Sequence, residues 1–328
     1  MEIAVVILNW NGKQLLEEFL PTVMKHSKEQ AQVYLADNAS TDDSILFVTT
    51  HFSEVKIIKN ESNGGYAKGY NDALKQVSEP IFCLLNSDVA VTKNWLTPII
   101  KQFSSEPNTA IIQPKLLDYK NPPLFEYAGA AGGFIDKYGY PYCRGRIFDT
   151  VEEDKNQYDA ASIFWASGAC LFIRKNVFLN LNGFDETFFA HMEEIDLCWR
   201  AHNQGLEIKY NPDSTVLHLG GGTLSAINPQ KTYLNFRNSL FTLTKNAKGP
   251  LLLLIFVRLL LDGLAGVKFL FSFQFKHILA IVHAHFGFYY ALPRLLKQRK
   301  STLEKRDYYK LNSIVWQYFA RKSKFYHK

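Results

Sequence analysis

A chain of 328 residues, 47% hydrophobic and 21% charged, can bury a full core, which excludes a disordered or fibrous protein. Its net charge of +6 is unevenly spread: residues 294–328 hold eleven Lys/Arg against Glu304 and Asp307, so the rest of the chain is slightly acidic. An acidic body with a basic end argues against nucleic-acid binding and for a tail that meets an anionic surface.

The amino terminus runs straight into a strand-like segment, Ile3-Ala4-Val5, with neither a basic leader nor a small-residue cleavage site. A cytosol-facing protein is expected. Cys83, Cys143, Cys170 and Cys198 show no metal-binding spacing and read as reduced core residues.

Apolar runs at 3–8, 32–36, 55–59, 80–85 and 110–113 alternate with helically spaced segments such as 13–25 and 66–77. This alternation predicts an α/β fold, a mostly parallel central sheet with helices on both faces. In such a sheet the ligand crevice lies at the carboxyl ends of the strands. The polar clusters fall there. Asn9-Trp10-Asn11-Gly12 follows the first strand, Asp37-Asn38 the second, Asn63-Gly64-Gly65 the third and Asn86-Ser87-Asp88 the fourth. The second of these, within LADNASTDDS, is by itself an ordinary turn with Ser40 or Thr41 as a helix cap. Four such turns on one sheet edge are the plan of a binding site.

Residues 115–160 have weak periodicity and predict an irregular insertion. Short helices are expected near 174–181 and at 192–204. After Lys248-Gly249-Pro250 the chain is strongly apolar and aromatic to 293, broken by Arg258, Asp262, Lys268 and Lys276. Its charge-free stretches fall short of the roughly 20 residues a bilayer span needs. Helices lying in the membrane interface, followed by the basic tail, fit this pattern. A helical homodimer interface, a packed subdomain and true spans are the alternatives. The expected division is a catalytic domain at 1–245 and a helical, membrane-associating extension at 246–328.

Two segments carry candidate chemistry. Asp88, at a strand end, is placed to hold a divalent cation, although Asn-Ser-Asp is also good turn chemistry. In the 183–200 block, Glu193, Glu194 and Asp196 crowd beside Phe188, Phe189, Met192 and Trp199, an environment that raises a carboxylate's pKa and suits a general base. Asp196 and Arg200, four residues apart, read as a structural ion pair.

The combination of Val5-Val6-Ile7-Leu8-Asn9-Trp10-Asn11, Asp37-Asn38-Ala39-Ser40-Thr41-Asp42, Asn63 to Asn71, Leu85-Asn86-Ser87-Asp88-Val89, the 183–200 block and His218-Leu219-Gly220-Gly221-Gly222-Thr223 resembles the family 2 inverting glycosyltransferases with the GT-A nucleotide-sugar fold. The likeness is to their rhamnosyltransferase-like branch, which builds bacterial surface polysaccharides. It implies transfer from a nucleoside-diphosphate sugar to a hydroxyl of a glycan, and the membrane-like tail adds the expectation of a lipid-linked acceptor at the cytoplasmic membrane face. By this resemblance Asp37 accepts from the nucleotide base with Asn9 beside it, and Asn63, Gly64, Lys68, Asn86 and Ser87 line the donor. Asp88 and His218 would hold Mg2+ or Mn2+. Glu194 stands where the family places its base, usually Asp, so Glu193 stays open as an alternative; Glu193, His191 and Trp165 would face the acceptor. Asn86 replaces the first Asp of the Asp-x-Asp motif of the wider fold. Arg237-Asn238 reads first as part of a helix packed on the sheet and second as an aid to phosphate binding. A nucleotidyltransferase and a catalytically silent glycan-binding subunit are the competing readings; the first should carry a Gly-rich phosphate signature, which Asn9-Trp10-Asn11-Gly12 is not.

Overall fold

The computed structural model describes residues 2–220, 228–301 and 305–326. Strands β1 (Ile3–Asn9), β2 (Ala31–Asp37), β3 (Lys56–Lys59) and β4 (Ile81–Asn86) run parallel in the order 4-1-2-3, separated in sequence by helices α1 (Lys13–Ser27), α2 (Ser44–His51) and α3 (Gly65–Leu74). Alternate strand residues serve opposite faces. Val5, Ile7, Val33 and Leu35 pack with Leu16, Leu20 and Val23 of α1, while Ala4, Val6, Tyr34 and Ala36 pack with Ala67, Tyr70 and Leu74 of α3. Because both faces are covered, these strands read as unbroken apolar runs.

Next come β5 (Val89–Val91), α4 (Leu96–Ser105) and β6 (Thr109–Asp118). The stretch expected to be irregular is partly ordered. β6 continues to Asp118, and β7 (Gly133–Ile135), β8 (Pro141–Cys143), β9 (Arg146–Ile147) and β10 (Thr150–Val151) form a small antiparallel sheet. Strands of two or three residues are too short to show an alternating pattern.

The chain rejoins the main sheet through β11 (Ala161–Ser162), β12 (Cys170–Arg174) and β13 (Glu207–His218), with α5 (Lys175–Asn180) and α6 (Glu193–Asn203) between the last two. The nine-stranded sheet has the order β11-β13-β6-β12-β4-β1-β2-β3, with β5 also paired to β13. β12 lies antiparallel between β4 and β6, and β13 runs parallel to β6. The start of β12 and the end of β13 therefore reach the same edge as the carboxyl ends of β1, β2 and β4.

Three longer helices follow, α7 (Pro229–Asn246), α8 (Leu251–Phe271) and α9 (Phe275–Ser301). Arg258 and Asp262, which break the apolar pattern of α8, are both buried: Asp262 Oδ1 accepts from Arg258 Nε at 2.8 Å and from Tyr140 Oη at 2.7 Å. Residues 305–326 do not trail away. Tyr308 packs on Trp199 at 4.6 Å between ring centroids, Tyr326 stacks on Phe134 at 5.4 Å, and the Ile314 amide donates to Asp136 Oδ2 at 2.9 Å. No described helix is long and apolar enough to cross a membrane.

Candidate active site

The loops after β1 and β2 lock together. Asn9 Nδ2 donates to Asp37 Oδ1 and to Ser40 Oγ, both at 3.1 Å, while the Ser40 amide donates to Asp37 Oδ2 at 3.0 Å. Both Asn9 and Asp37 are buried. Each Asp37 oxygen has one partner here and keeps a lone pair for a donor on a ligand. A Cβ on Gly12 would fall 2.5 Å from Asn9 Oδ1 and 3.8 Å from Ser87 Oγ, so the loops of the first and fourth strands also meet.

Asn63 Oδ1 accepts from the Gly65 amide at 2.9 Å and shapes the entry to α3. Gly65 has φ +77, and a Cβ there would lie 2.5 Å from the Phe189 carbonyl oxygen. The same carbonyl accepts from the Tyr66 amide at 2.9 Å. The Gly64-Gly65 pair thus lets the α3 loop press against the 183–194 block, which only glycine permits at that φ. Lys68, expected along the donor, is ion-paired with Asp72 at 2.6 Å on the outer side of α3.

Asp88 and His218 meet through sheet pairing. His218 is opposite Val89 in the β13–β5 ladder, and the Leu219 amide donates to the Asp88 carbonyl at 3.0 Å. This brings His218 Nε2 within 3.2 Å of Asp88 Oδ1, while His218 Nδ1 lies 3.1 Å from Glu126 Oε1. Burial alone would lower the imidazole pKa, but the hydrogen bonds and charges of Asp88 and Glu126 raise it to about 10. A carboxylate facing one ring nitrogen and a second carboxylate behind the other could hold a divalent cation, because the outer carboxylate fixes the tautomer that frees Nε2 as a ligand. The residues fit such an ion as two donors. Among the described residues no group of three His, Cys, Asp or Glu is assembled to hold one unaided. Gly221, Gly222 and Thr223 of the expected motif lie outside the described residues.

Glu193 and Glu194 open α6, entered through positive-φ residues at Phe189 (φ 64), His191 (φ 67) and Met192 (φ 73). Such backbone costs roughly 1–3 kcal/mol per residue and needs outside support. α7 supplies it. Asn238 Nδ2 faces the carbonyls of Phe188, Ala190 and His191 at 3.1, 2.9 and 2.8 Å, and Arg237 Nη2 those of Thr187 and Phe188 at 3.1 and 3.2 Å. One layer further in, Lys245 Nζ bridges Asp185 Oδ2 at 2.7 Å and Asp196 Oδ1 at 2.9 Å, and Arg200 Nε bonds Asp196 Oδ2 at 2.8 Å. Asp196 and Arg200 are thus a structural pair; Lys245 is a partner that sequence spacing gave no reason to join to them.

The two carboxyl groups differ. Glu193 is buried, its Oε2 has no partner, and burial followed by the charge of Glu194 raises its pKa well above the usual range. Glu194 is partly exposed, and burial raises it to about 7. A Cβ on Gly168 would lie 3.8 Å from Glu194 Cδ and 3.1 Å from Tyr66 Oη, and Tyr66 Oη donates to the Gly168 carbonyl at 2.8 Å. The next carbonyl, of Ala169, accepts from the Asn86 amide at 3.0 Å. The 167–169 turn therefore joins Glu194 to the β4 edge that carries Asp88.

His191 is partly buried with Nε2 unpartnered, and burial first, then Lys231, lowers its pKa to about 4. Trp165, expected on the acceptor side, is packed in the core: it is buried, its indole lies against Gly133, and Nε1 donates to the Phe134 carbonyl at 2.8 Å. With its only polar atom so engaged it supports the small sheet. Glu126 and Tyr66 join the site without having been singled out for it, and Asn238, expected to pack or to aid phosphate binding, holds the turn before Glu194. Glu126 gives no local signal, since it comes from the loop after β6.

Residues 4–180 match the family model described as Glycosyl transferase family 2. The chain is 25% identical over 232 residues to the N-acetylglucosaminyl-diphospho-decaprenol L-rhamnosyltransferase of Mycobacterium tuberculosis, covering 65% of this chain and 75% of that one. It is 22% identical over 225 residues to Rhamnosyltransferase WbbL of Escherichia coli, covering 65% and 82%. Among solved structures, Staphylococcus aureus TarS 1-349 in complex with UDP-GlcNAc superposes with a TM-score of 0.54 at 15% identity, covering 100% of this chain and 93% of that one. GalNAc-T7 with UDP, GalNAc and Mn2+ gives 0.60 at 16% identity, covering 75% and 48%. These structural likenesses establish the GT-A-like fold, and with the family model spanning more than half of its length the chain belongs to glycosyl transferase family 2.

Proposed function

We propose that the chain is an inverting transferase that moves a sugar from a nucleoside-diphosphate donor to a hydroxyl of a glycan or lipid-linked acceptor in surface polysaccharide synthesis. One observation carries this reading: Glu194 and the Asp88–His218 pair belong to one sheet edge, connected through the 167–169 turn.

In this reading Asp37 and Asn9 hold the nucleotide base, and the Asn63-Gly64 loop with Asn86 and Ser87 lines the donor. Asp88 and His218 would hold a Mg2+ or Mn2+, which would supply charge neutralisation for the leaving group. Glu194 takes the proton of the acceptor hydroxyl, whose oxygen forms the new bond to the anomeric carbon as the bond to the diphosphate breaks. The leaving nucleoside diphosphate keeps the electron pair, the proton rests on Glu194, and one displacement inverts the centre. Glu193, whose pKa burial and the charge of Glu194 raise, and His191, whose pKa burial lowers, line the acceptor side.

The place of work is the cytoplasmic membrane surface. Support comes from Leu252, Phe256, Leu260, Leu264 and Phe271 of α8, all exposed, and from exposed Trp316 and Phe319, the latter beneath Lys268 Nζ at 5.5 Å. Aromatic and basic residues together are the composition of membrane-interface segments. The names of the relatives, a decaprenol-linked rhamnosyltransferase among them, support a rhamnosyl or hexosyl donor and a lipid-linked acceptor. The test is Glu194→Gln: sugar transfer should be lost while donor binding persists. Retained transfer would return the chain to a silent subunit or reassign the base.

A further inference from the structure

Helix α9 presents Leu279, Val282, Phe286, Tyr289 and Tyr290 to solvent, more apolar surface than a water-facing helix carries without an occupant. Part of this face is concave. A groove of about 690 Å3 runs between the first turns of α7 and α9, lined by Tyr233, Lys276, Leu279, His283, Phe286 and Gly287 among others, and this volume lies within the range of ligand sites. Its lining joins apolar side chains to two groups that can carry positive charge, Lys276 and His283. Gly287 brings the helices together: a Cβ there would lie 3.1 Å from Tyr233 Oη and 3.4 Å from Arg237 Cδ. Arg237 in turn holds the Thr187 and Phe188 carbonyls. The Gly287 end of the groove is therefore one side chain away from the loop that leads to Glu194.

We propose that this groove seats the phosphate-proximal hydrocarbon of a lipid-linked acceptor, with Lys276 and His283 meeting its phosphate; the proposal rests on the transferase reading above. A groove that combines cationic and apolar groups and approaches the base loop matches a molecule with a charged link between a chain and a sugar. A flat bilayer would need only the convex apolar residues.

The test uses the full chain in neutral detergent micelles and farnesyl diphosphate carrying a photoreactive diazirine, with cross-linked residues mapped by mass spectrometry. Label should concentrate in residues 276–290. It should fall about tenfold in the double variant Leu279→Asp/Phe286→Asp, the order expected when apolar contacts of this size are lost. Both positions are exposed, and an unchanged melting temperature verifies that the variant folds. Lys276→Ala should weaken labelling by farnesyl diphosphate and leave labelling by the matching farnesol probe unchanged. Label that maps to the Asp88 loop instead, or that is undiminished in the double variant, would overturn the proposal. So would a double variant that loses binding to acceptor-free vesicles of anionic phospholipid but keeps its label, since the face would then be a bilayer contact. Failure of the transferase reading shows separately, as transfer that survives Glu194→Gln.

Discussion

The carboxamide nitrogen of Asn238 lies 2.8 Å from the carbonyl oxygen of His191, and the same nitrogen serves the carbonyls of Phe188 and Ala190. One buried side chain on α7 thus holds the positive-φ turn from which α6 starts, and with it the direction of Glu194. Asn238→Ala takes this donor from the Ala190 and His191 carbonyls, while Arg237 still serves that of Phe188, a loss of about 1–3 kcal/mol in stability. Transfer should fall further than stability does, by roughly tenfold to a hundredfold, because small misplacements of reacting groups are expensive in rate. Asn238→Asp, which sets a carboxylate against three carbonyl oxygens, should be worse than Ala in both chemical denaturation and turnover.

If Glu194 is the base, as proposed, the pH profile should carry the signature of a carboxyl group partly withdrawn from water. Glu194, raised by burial to about 7, works as a base only when ionised. The rate of transfer should climb about tenfold per unit below pH 7 and level off above it. Stability moves the other way. The unfolded carboxyl ionises near its ordinary value of 4.5 while the folded one stays protonated, so folding loses free energy as pH rises from about 4.5 to 7. Urea midpoints should show Glu194→Gln to be more stable than the parent at pH 8 and little different at pH 4; equal midpoints at both would remove burial as the cause.

Lys245 should be a strong stability determinant. Burial alone would raise the pKa of Asp185 and Asp196, yet the charge of Lys245 overcomes it and holds both below the usual carboxylate range. Lys245→Met takes the shared cation from two buried carboxylates, leaving Asp196 with Arg200 and Asn246 and leaving Asp185 with the neutral donors Thr187 and Gln298. The expected loss is about 3–5 kcal/mol. In the parent this stabilisation is complete above the unfolded carboxyl pKa and fades as pH falls. The variant should therefore show a flatter acid limb in its unfolding midpoints.

Asp88 and Glu126 should separate donor binding from its metal dependence. A nucleoside-diphosphate sugar with Mg2+ or Mn2+ raises the melting temperature by mass action. Asp88→Ala should abolish the metal-dependent part of that shift. Glu126→Gln, which meets His218 at its far nitrogen, should weaken metal affinity roughly tenfold to a hundredfold while leaving the metal-free shift in place. Identical metal-dependent shifts in the parent and Asp88→Ala would count against the assignment of this cation site.

The parallel half of the sheet was legible because Val5, Val33, Cys83 and their neighbours are buried on both faces, so each strand is a plain apolar run with polar residues at its end. The positions of Asp37 and Asp88 were legible because each follows such a strand, and that of Glu194 because it stands in the first turn of a helix. Asn238 could be seen but not what it holds, because its partners are backbone carbonyls about fifty residues away, which leave no trace in composition. Glu126 and Lys245 are likewise joined to the site only by tertiary packing. Trp165 misled because an aromatic near the active loop looks the same in sequence whether its indole faces a sugar or a backbone carbonyl. Arg258 and Asp262 looked like interruptions of an apolar helix, whereas they satisfy each other and Tyr140 in its buried side.

The return of residues 308–326 across the body has a consequence for biosynthesis. Tyr308 against Trp199 and Tyr326 against Phe134 close surfaces that belong to the first two hundred residues. A ribosome that has just delivered those two hundred residues has yet to make the closing pieces. These surfaces therefore stay open until residues 308–326 have emerged, and a nascent chain stalled before Tyr308 should expose Trp199 to chaperones.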